Sequence, residues 1–149
     1  MIHITVDQLK EILSSGSYVN VEDILKIREK NNFYTYVEEL LSNGFISKNL
    51  LGQAIAEYYK INYFDLSTVQ PKNDQVLKFP EELAKKYSAL VIEENEKAVI
   101  ITTDNPEQPE LLAEIKQRFP GKEIAVNFSL TEDIRGIFMY YLKPLDTRF

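Results

Sequence analysis

Few residues in this 149-residue chain are of types that do covalent or metal chemistry, and those few are poorly spaced for it. With no cysteine, the chain has no thiol nucleophile, no disulfide scaffold and no thiolate metal site. The single histidine, His3, lies beside the amino terminus, a poor place to hold a general base. Without a second His or any Cys there is no zinc set and no Ser-His or Cys-His pair. Asp104, Glu107 and Glu110 follow Thr102 and Thr103, a grouping with magnesium-ligating chemistry. The same residues also read as structure, because Asp104-Asn105-Pro106 is turn chemistry and acids in a helix's first turn offset its dipole. Gly121-Lys122 is the one Gly-Lys pair. A phosphate loop needs Gly five residues before that Gly and Ser or Thr after the Lys. Those positions hold Lys116 and Glu123. No catalytic residue, metal or cofactor is therefore expected, and no ATP binding through a phosphate loop.

Binding chemistry is better represented. Phe33, Tyr34 and Tyr36 lie together, as do Tyr58, Tyr59, Tyr63 and Phe64. Core packing accounts for most such residues, but an exposed aromatic cluster marks a protein interface, and Phe33, Tyr34 and Tyr36 are the candidate partner-binding residues. The net charge of −6 is shared evenly: residues 1–66 carry 6 Lys/Arg and 9 Asp/Glu, and residues 67–149 carry 11 and 14. Neither part offers the basic patch that nucleic acid or an anionic membrane surface requires, so no nucleic-acid partner is expected. The amino terminus lacks a basic stretch followed by an apolar one, and no apolar run approaches a spanning helix, so no direct membrane insertion is expected. Together with the absence of cysteine, this points to a cytoplasmic protein.

The elements that must position these residues fall into two sets. Thr5-Val6-Asp7-Gln8 has capping-box spacing. Val6, Leu9, Ile12 and Leu13 form the apolar stripe of a first helix, with Gly16 as its left-handed stop. Asn20 caps a second helix with apolar positions Val21, Ile24, Leu25 and Ile27. A third carries Tyr36, Val37, Leu40 and Leu41 and stops at Gly44. Ser47 caps a fourth, with Ile46 stapled on Leu51 and a face of Leu50, Leu51, Ala54, Ile55 and Tyr58. Leu9-x-x-Ile12-Leu13-x-x-Gly16 and Val37-x-x-Leu40-Leu41-x-x-Gly44 share their spacing 28 residues apart, which reads either as a repeated helix hairpin or as core spacing alone. An extended stretch, Ile61–Leu66, leads to the candidate linker Ser67–Asn73. Beyond it the order is a helix opened by Pro80, a hairpin of Ala89–Ile92 and Ala98–Ile101, and a helix carrying Leu111, Leu112, Ile115 and Phe119. A strand of Ile124, Val126 and Phe128 follows, then a last helix with a capping box at Ser129-x-x-Glu132 and a stripe of Ile134, Ile137, Phe138 and Tyr141. The expected class is α+β: a helical subdomain over residues 1–66, then an α-β-β-α-β-α subdomain with a small mixed sheet over 67–149, packed together as one module.

In order and spacing these residues resemble the amino-terminal domain of GspE/PilB/MshE-type ATPases of type II secretion and type IV pilus assembly. Leu40, Gly44, Ile46, Leu51 and Ile55 follow the family's L-x-x-x-G-x-I-x-x-x-x-L-x-x-x-L frame. Tyr63-Phe64-Asp65-Leu66 is similar to its "PFVDL" strand, and Phe79–Tyr87 to its "LPEELARRY" helix. Ala98–Asn105 is similar to the strand ending in a "DP" turn, with Asn105 inserted between Asp104 and Pro106. The helix Ile134–Tyr141 closes the resemblance, where a linker to the ATPase would begin.

The resemblance implies a non-catalytic docking or regulatory module that couples the motor to an inner-membrane platform protein. It places the chain at that membrane only through partners, with hexamerisation through a downstream ATPase domain. The same module attached to an unrelated enzyme, such as a glycosyltransferase, is a further implied setting. Some family members bind cyclic di-GMP through two copies of R-L-G-x-x-L-V-x-x-G-x-I-x-x-x-x-L-x-x-x-L-x-x-Q. Aligned on Gly44, the R-L-G positions hold Thr35, Tyr36 and Val37, and the last Gln is Tyr58; aligned on Gly16, they hold Asp7, Gln8 and Leu9. Leu40, Leu41, Gly44, Ile46, Leu51 and Ile55 are thus the residues of a degenerate ligand motif whose apolar frame survives without its arginines.

Overall fold

Thr5 opens the first helix as its spacing predicts. In the computed structural model, which describes residues 2–28 and 31–142, the Gln8 N–H donates to Thr5 Oγ1 at 3.2 Å and the Thr5 N–H to Gln8 Oε1 at 2.9 Å. Two orphan backbone donors are satisfied reciprocally, which starts α1 (Val6–Ser15). Next come α2 (Val21–Leu25), α3 (Phe33–Ser42) and α4 (Lys48–Tyr59). Asn32 caps α3 and Ser47 caps α4, each accepting from the N–H three residues on. Asn20 precedes α2 as expected, but its side chain makes no capping bond.

The helical repeat has a different register from the one the glycines suggest. Helices α1 and α3 are offset by 27 residues at both ends, from 6 to 33 and from 15 to 42. The turn bonds repeat with the same offset: Tyr18 N–H donates to Leu13 O, and Phe45 N–H to Leu40 O. Gly16, at φ −84°, is not the left-handed stop; Ser17 is, at φ +59°, matching Gly44 at φ +72°. Gly16 instead leaves room for the Tyr18 ring, whose atoms would lie 2.7 Å from an added Cβ. A left-handed serine carries a Cβ penalty that glycine escapes, only partly offset by glycine's freedom in the unfolded chain. Ser17→Gly is therefore expected to raise stability by about 0.5–1 kcal/mol, and Gly44→Ala to lower it by about 1 kcal/mol. Urea denaturation of the two variants checks both signs.

The described residues divide into two compact units, His3–Tyr63 and the part from Phe64 to Leu142 together with Ile2. The division falls between Tyr63 and Phe64, and the candidate linker Ser67–Asn73 lies inside the second unit. There Asp65 accepts from the Ser67 N–H at 3.0 Å, and Pro71 is buried.

In the second unit α5 (Asn73–Val76), a short helix not foreseen, precedes α6 (Glu81–Tyr87). Then follow β2 (Ala89–Glu94), β3 (Ala98–Thr103), α7 (Pro109–Arg118), β4 (Glu123–Phe128) and α8 (Thr131–Ile137), which runs into a 3-10 turn at Phe138–Tyr141. The helical unit ends on the two-residue β1 (Asn62–Tyr63), and within the second unit the strand order is β4-β3-β2. Strands β2 and β3 form the expected antiparallel hairpin, with a bulge at Ile92, while β3 and β4 run parallel. Apolar residues alternate across β2. Ala89 and Val91 join Phe79, Val99, Ile101, Leu111 and Ile115 in one core, and Leu90 joins Leu66, Val76, Ile134 and Ile137 in the other. The sheet is thereby covered on both faces. Tyr141 closes one core by donating to Phe79 O at 2.7 Å, and burial pushes its phenol up to about 12.

The capping box expected at Ser129 does not form. Leu130 occupies the cap position of α8, with no side-chain bond, and the Ser129 hydroxyl is spent on tertiary partners instead.

Candidate functional site

The candidate residues all lie in the helical unit, on α3, α4 and the turn between them. Leu40, Ile46, Leu51 and Ile55 are buried, so these four members of the motif frame have no surface to give to a ligand. Leu41 is half-buried, and Gly44 is exposed with open space around its Cα. The structure thus separates the six residues: four of them lie in the hydrophobic interior and two do not.

The 27-residue register also moves the first motif copy. With Ser17 as the counterpart of Gly44, its R-L-G positions hold Gln8, Leu9 and Lys10 in place of Asp7, Gln8 and Leu9, and its last Gln becomes Asn31. Leu9 and its counterpart Tyr36 are both fully buried. Gln8 is engaged in the α1 capping box, and Lys10 Nζ lies 5.9 Å from the Tyr36 ring centroid. Neither copy has an arginine at its first position.

The aromatic trio also divides. Phe33 and Tyr34 meet edge to face, centroids 5.4 Å apart, with Tyr34 exposed and Phe33 half-buried. Tyr36 is wholly inside and so belongs to the core rather than to an exposed aromatic surface. Its hydroxyl has no hydrogen-bond partner among the described residues, and burial, aided by the nearby Glu39 carboxylate, raises its pKa. A buried hydroxyl without a partner keeps its desolvation cost and gains nothing back. Tyr36→Phe is therefore expected to stabilise the chain by about 1 kcal/mol, the reverse of the usual effect of removing a bonded hydroxyl. Chemical denaturation of the single variant reads this directly.

Four residues expected on the apolar faces of their helices are exposed, Leu50 and Tyr58 on α4 and two on α2. Val21 and Leu25, one turn apart on α2, are 57% and 78% exposed, while Ile24 and Ile27 are buried. Exposed Glu22 and half-buried Asp23 stand between them. The apolar spacing on its own does not distinguish the two faces, because α2 is only five residues long. A shallow, open hollow of about 420 Å³ lies at the end of α4, lined by Gln53, Glu57, Lys60 and Tyr63 among others. Glu57 there accepts a short hydrogen bond from the Tyr18 hydroxyl, which raises the Tyr18 pKa.

The acids weighed for magnesium are not assembled. Asp104 is fully buried, accepting from Thr131 Oγ1 at 2.5 Å, whereas Glu107 and Glu110 are exposed. Among the described residues no group of three or more His, Asp or Glu is placed to hold a metal ion. Nor is any helix among them long and apolar enough to cross a membrane.

Comparison with known proteins agrees with this geometry. A structure of MshE with cdg matches with a TM-score of 0.61 at 21% identity, covering 90% of this chain and 98% of that one. Two crystal forms of the N-terminal domain of XpsE match with TM-scores of 0.55 and 0.51 at 13% and 14% identity, covering 96% and 95% of this chain and 100% of theirs. Comparison with curated protein sequences finds no match. The resemblance to N-terminal domains of GspE/PilB/MshE-type ATPases, read from the "LPEELARRY"-like helix and its neighbours, is upheld. The MshEN domain family matches residues 59–145, more than half of the sequence, and the chain belongs to that family.

Proposed function

We propose that this chain is a non-catalytic docking domain of a type II secretion or type IV pilus assembly ATPase, coupling the motor to an inner-membrane platform protein. The observation that carries this reading is the contrast within the helical unit. Four of the six residues shared with a ligand motif are spent on the core, while Val21, Leu25 and Tyr34 keep apolar surface open to a partner. Exposed Glu22 beside Val21 and Leu25, with Asp23 already paired to Lys26 at 3.4 Å, favours a partner face that is apolar with a lysine or arginine at its rim. Family membership supplies the setting, and the absence of a phosphate loop from the sequence leaves ATP hydrolysis to another domain. A pull-down of the chain against the cytoplasmic parts of the platform proteins of the same genome tests this. Retention that falls with added salt is expected, and uniform failure with both partners folded refutes it.

The second reading is a cyclic di-GMP sensor, favoured by the match to a structure of MshE with cdg. The arginine-free motif copies and buried frame weigh against it.

A further inference from the structure

Two fully buried hydroxyls of the second unit, those of Thr102 and Ser129, belong to no helix cap or ladder. Ser129 Oγ stands 2.6 Å from the carbonyl oxygen of Phe64 and 2.5 Å from Thr102 Oγ1. A carbonyl has no proton to give, so Ser129 donates to Phe64. A serine hydroxyl has only one proton, so Ser129 must accept from Thr102. The proton order is therefore Thr102 to Ser129 to Phe64, and the 3.3 Å approach of Thr102 Oγ1 to Asn127 O carries no proton. The Phe64 N–H donates to Phe128 O at 2.8 Å. Both backbone polar groups of Phe64 are thus held by two consecutive residues, Phe128 and Ser129.

We infer that Ser129 is a positioning residue, a latch that holds the lead-in of the second unit, residues 64–66, against the end of β4, and that this latch opens locally without unfolding the sheet. The opening is local because Thr102 has a second acceptor in reach. When Ser129 lets go, Thr102 turns its proton to Asn127 O, and the carbonyl of Phe64 is the one group left without its bond. Leu66 and Phe64 belong to the core of Val76, Leu90, Ile134 and Ile137, so the opening is confined to the backbone bonds of Phe64 and leaves those apolar contacts in place. In the intact protein the latch fixes the point at which the chain enters the second unit.

Native-state amide hydrogen exchange on the full chain tests this. Ser129→Ala is expected to speed exchange at the Phe64 amide by roughly 5- to 150-fold, the range for removing one buried hydrogen bond, and to leave Val91 and Ile101 nearly unchanged. Thr102→Val leaves Ser129 its own proton to give, so it should produce a smaller rise at Phe64, and Thr102→Ser should restore the wild-type rate. An unchanged Phe64 rate in Ser129→Ala overturns the inference. So does equal acceleration at Phe64 and Ile101, or a larger rise in Thr102→Val than in Ser129→Ala. Should Ser129→Ala fail to fold, the Thr102 pair decides: a rise confined to Phe64 in Thr102→Val, reversed in Thr102→Ser, supports the latch, and a uniform or absent rise overturns it.

Discussion

Cyclic di-GMP is expected to bind this chain at least about a hundredfold more weakly than it binds a receptor with both motif arginines. The ligand carries two phosphates and two guanines, and Arg is the side chain whose planar fork fits either. In the register set by the structure the two arginine positions hold Gln8 and Thr35, and the Gln8 side-chain oxygen is already engaged with Thr5. Removing one charged hydrogen bond costs ~1.5–3 kcal/mol, so removing two weakens binding by a factor of about a hundred or more. Lys10 supplies a positive charge where the motif has Gly, but it is a single point charge on a side chain that leans over Tyr36. The apolar frame cannot compensate, because Leu40, Ile46, Leu51 and Ile55 face inward. Calorimetry with cyclic di-GMP should show no sub-micromolar binding, and such a constant would return the chain to the sensor reading.

The second large effect concerns Gly52, buried in the interior of α4. A Cβ added there would lie 2.3 Å from Cε1 and Cζ of the Tyr63 ring. Two terms compete in Gly52→Ala. Helix propensity gains about 1 kcal/mol, and displacing a packed ring costs about 1–3 kcal/mol. The clash should win, so Gly52→Ala is expected to destabilise the wild-type chain by about 1 kcal/mol. In a Tyr63→Ala background the ring is gone and the propensity gain is left alone, so the same substitution should stabilise by about 1 kcal/mol. The sign reversal amounts to a coupling of about 2 kcal/mol, well beyond the additivity error of independent sites. Urea denaturation of the four-member cycle measures it, and a stabilising Gly52→Ala in both backgrounds would mean that the ring does not rest on this glycine.

Sequence reading succeeds where one segment decides its own structure. The Thr5–Gln8 capping box, the Ser47 cap, the left-handed Gly44 and the 89–101 hairpin all rest on residues within one or two turns of each other. It fails where a distant partner outbids a local signal. Ser129 has the spacing of a helix cap, yet its hydroxyl goes to Phe64, 65 residues away. The repeat is misaligned by one residue when read from its two glycines, because they invite pairing. Nothing local announces that Ser17 takes the strained left-handed place while Gly16 makes room for Tyr18. That slip has a functional consequence, since it puts Asp7 where the structure puts Gln8. Tyr36 falls in an aromatic run that hides its equivalence to Leu9, and hence its burial. In α2 the apolar residues are too few to show which of them face inward.

The most direct test of the proposed docking role is a calorimetric titration of the chain with the cytoplasmic portion of an inner-membrane platform protein of the same genome. A dissociation constant on the order of micromolar is predicted, in keeping with a transient interface. Leu25→Glu puts a carboxylate on the most exposed of the large apolar side chains and should weaken binding at least about tenfold, without loss of stability because that side chain touches little of the core. No binding by the folded wild-type chain, or binding unchanged in both Leu25→Glu and Tyr34→Ala, would contradict the account.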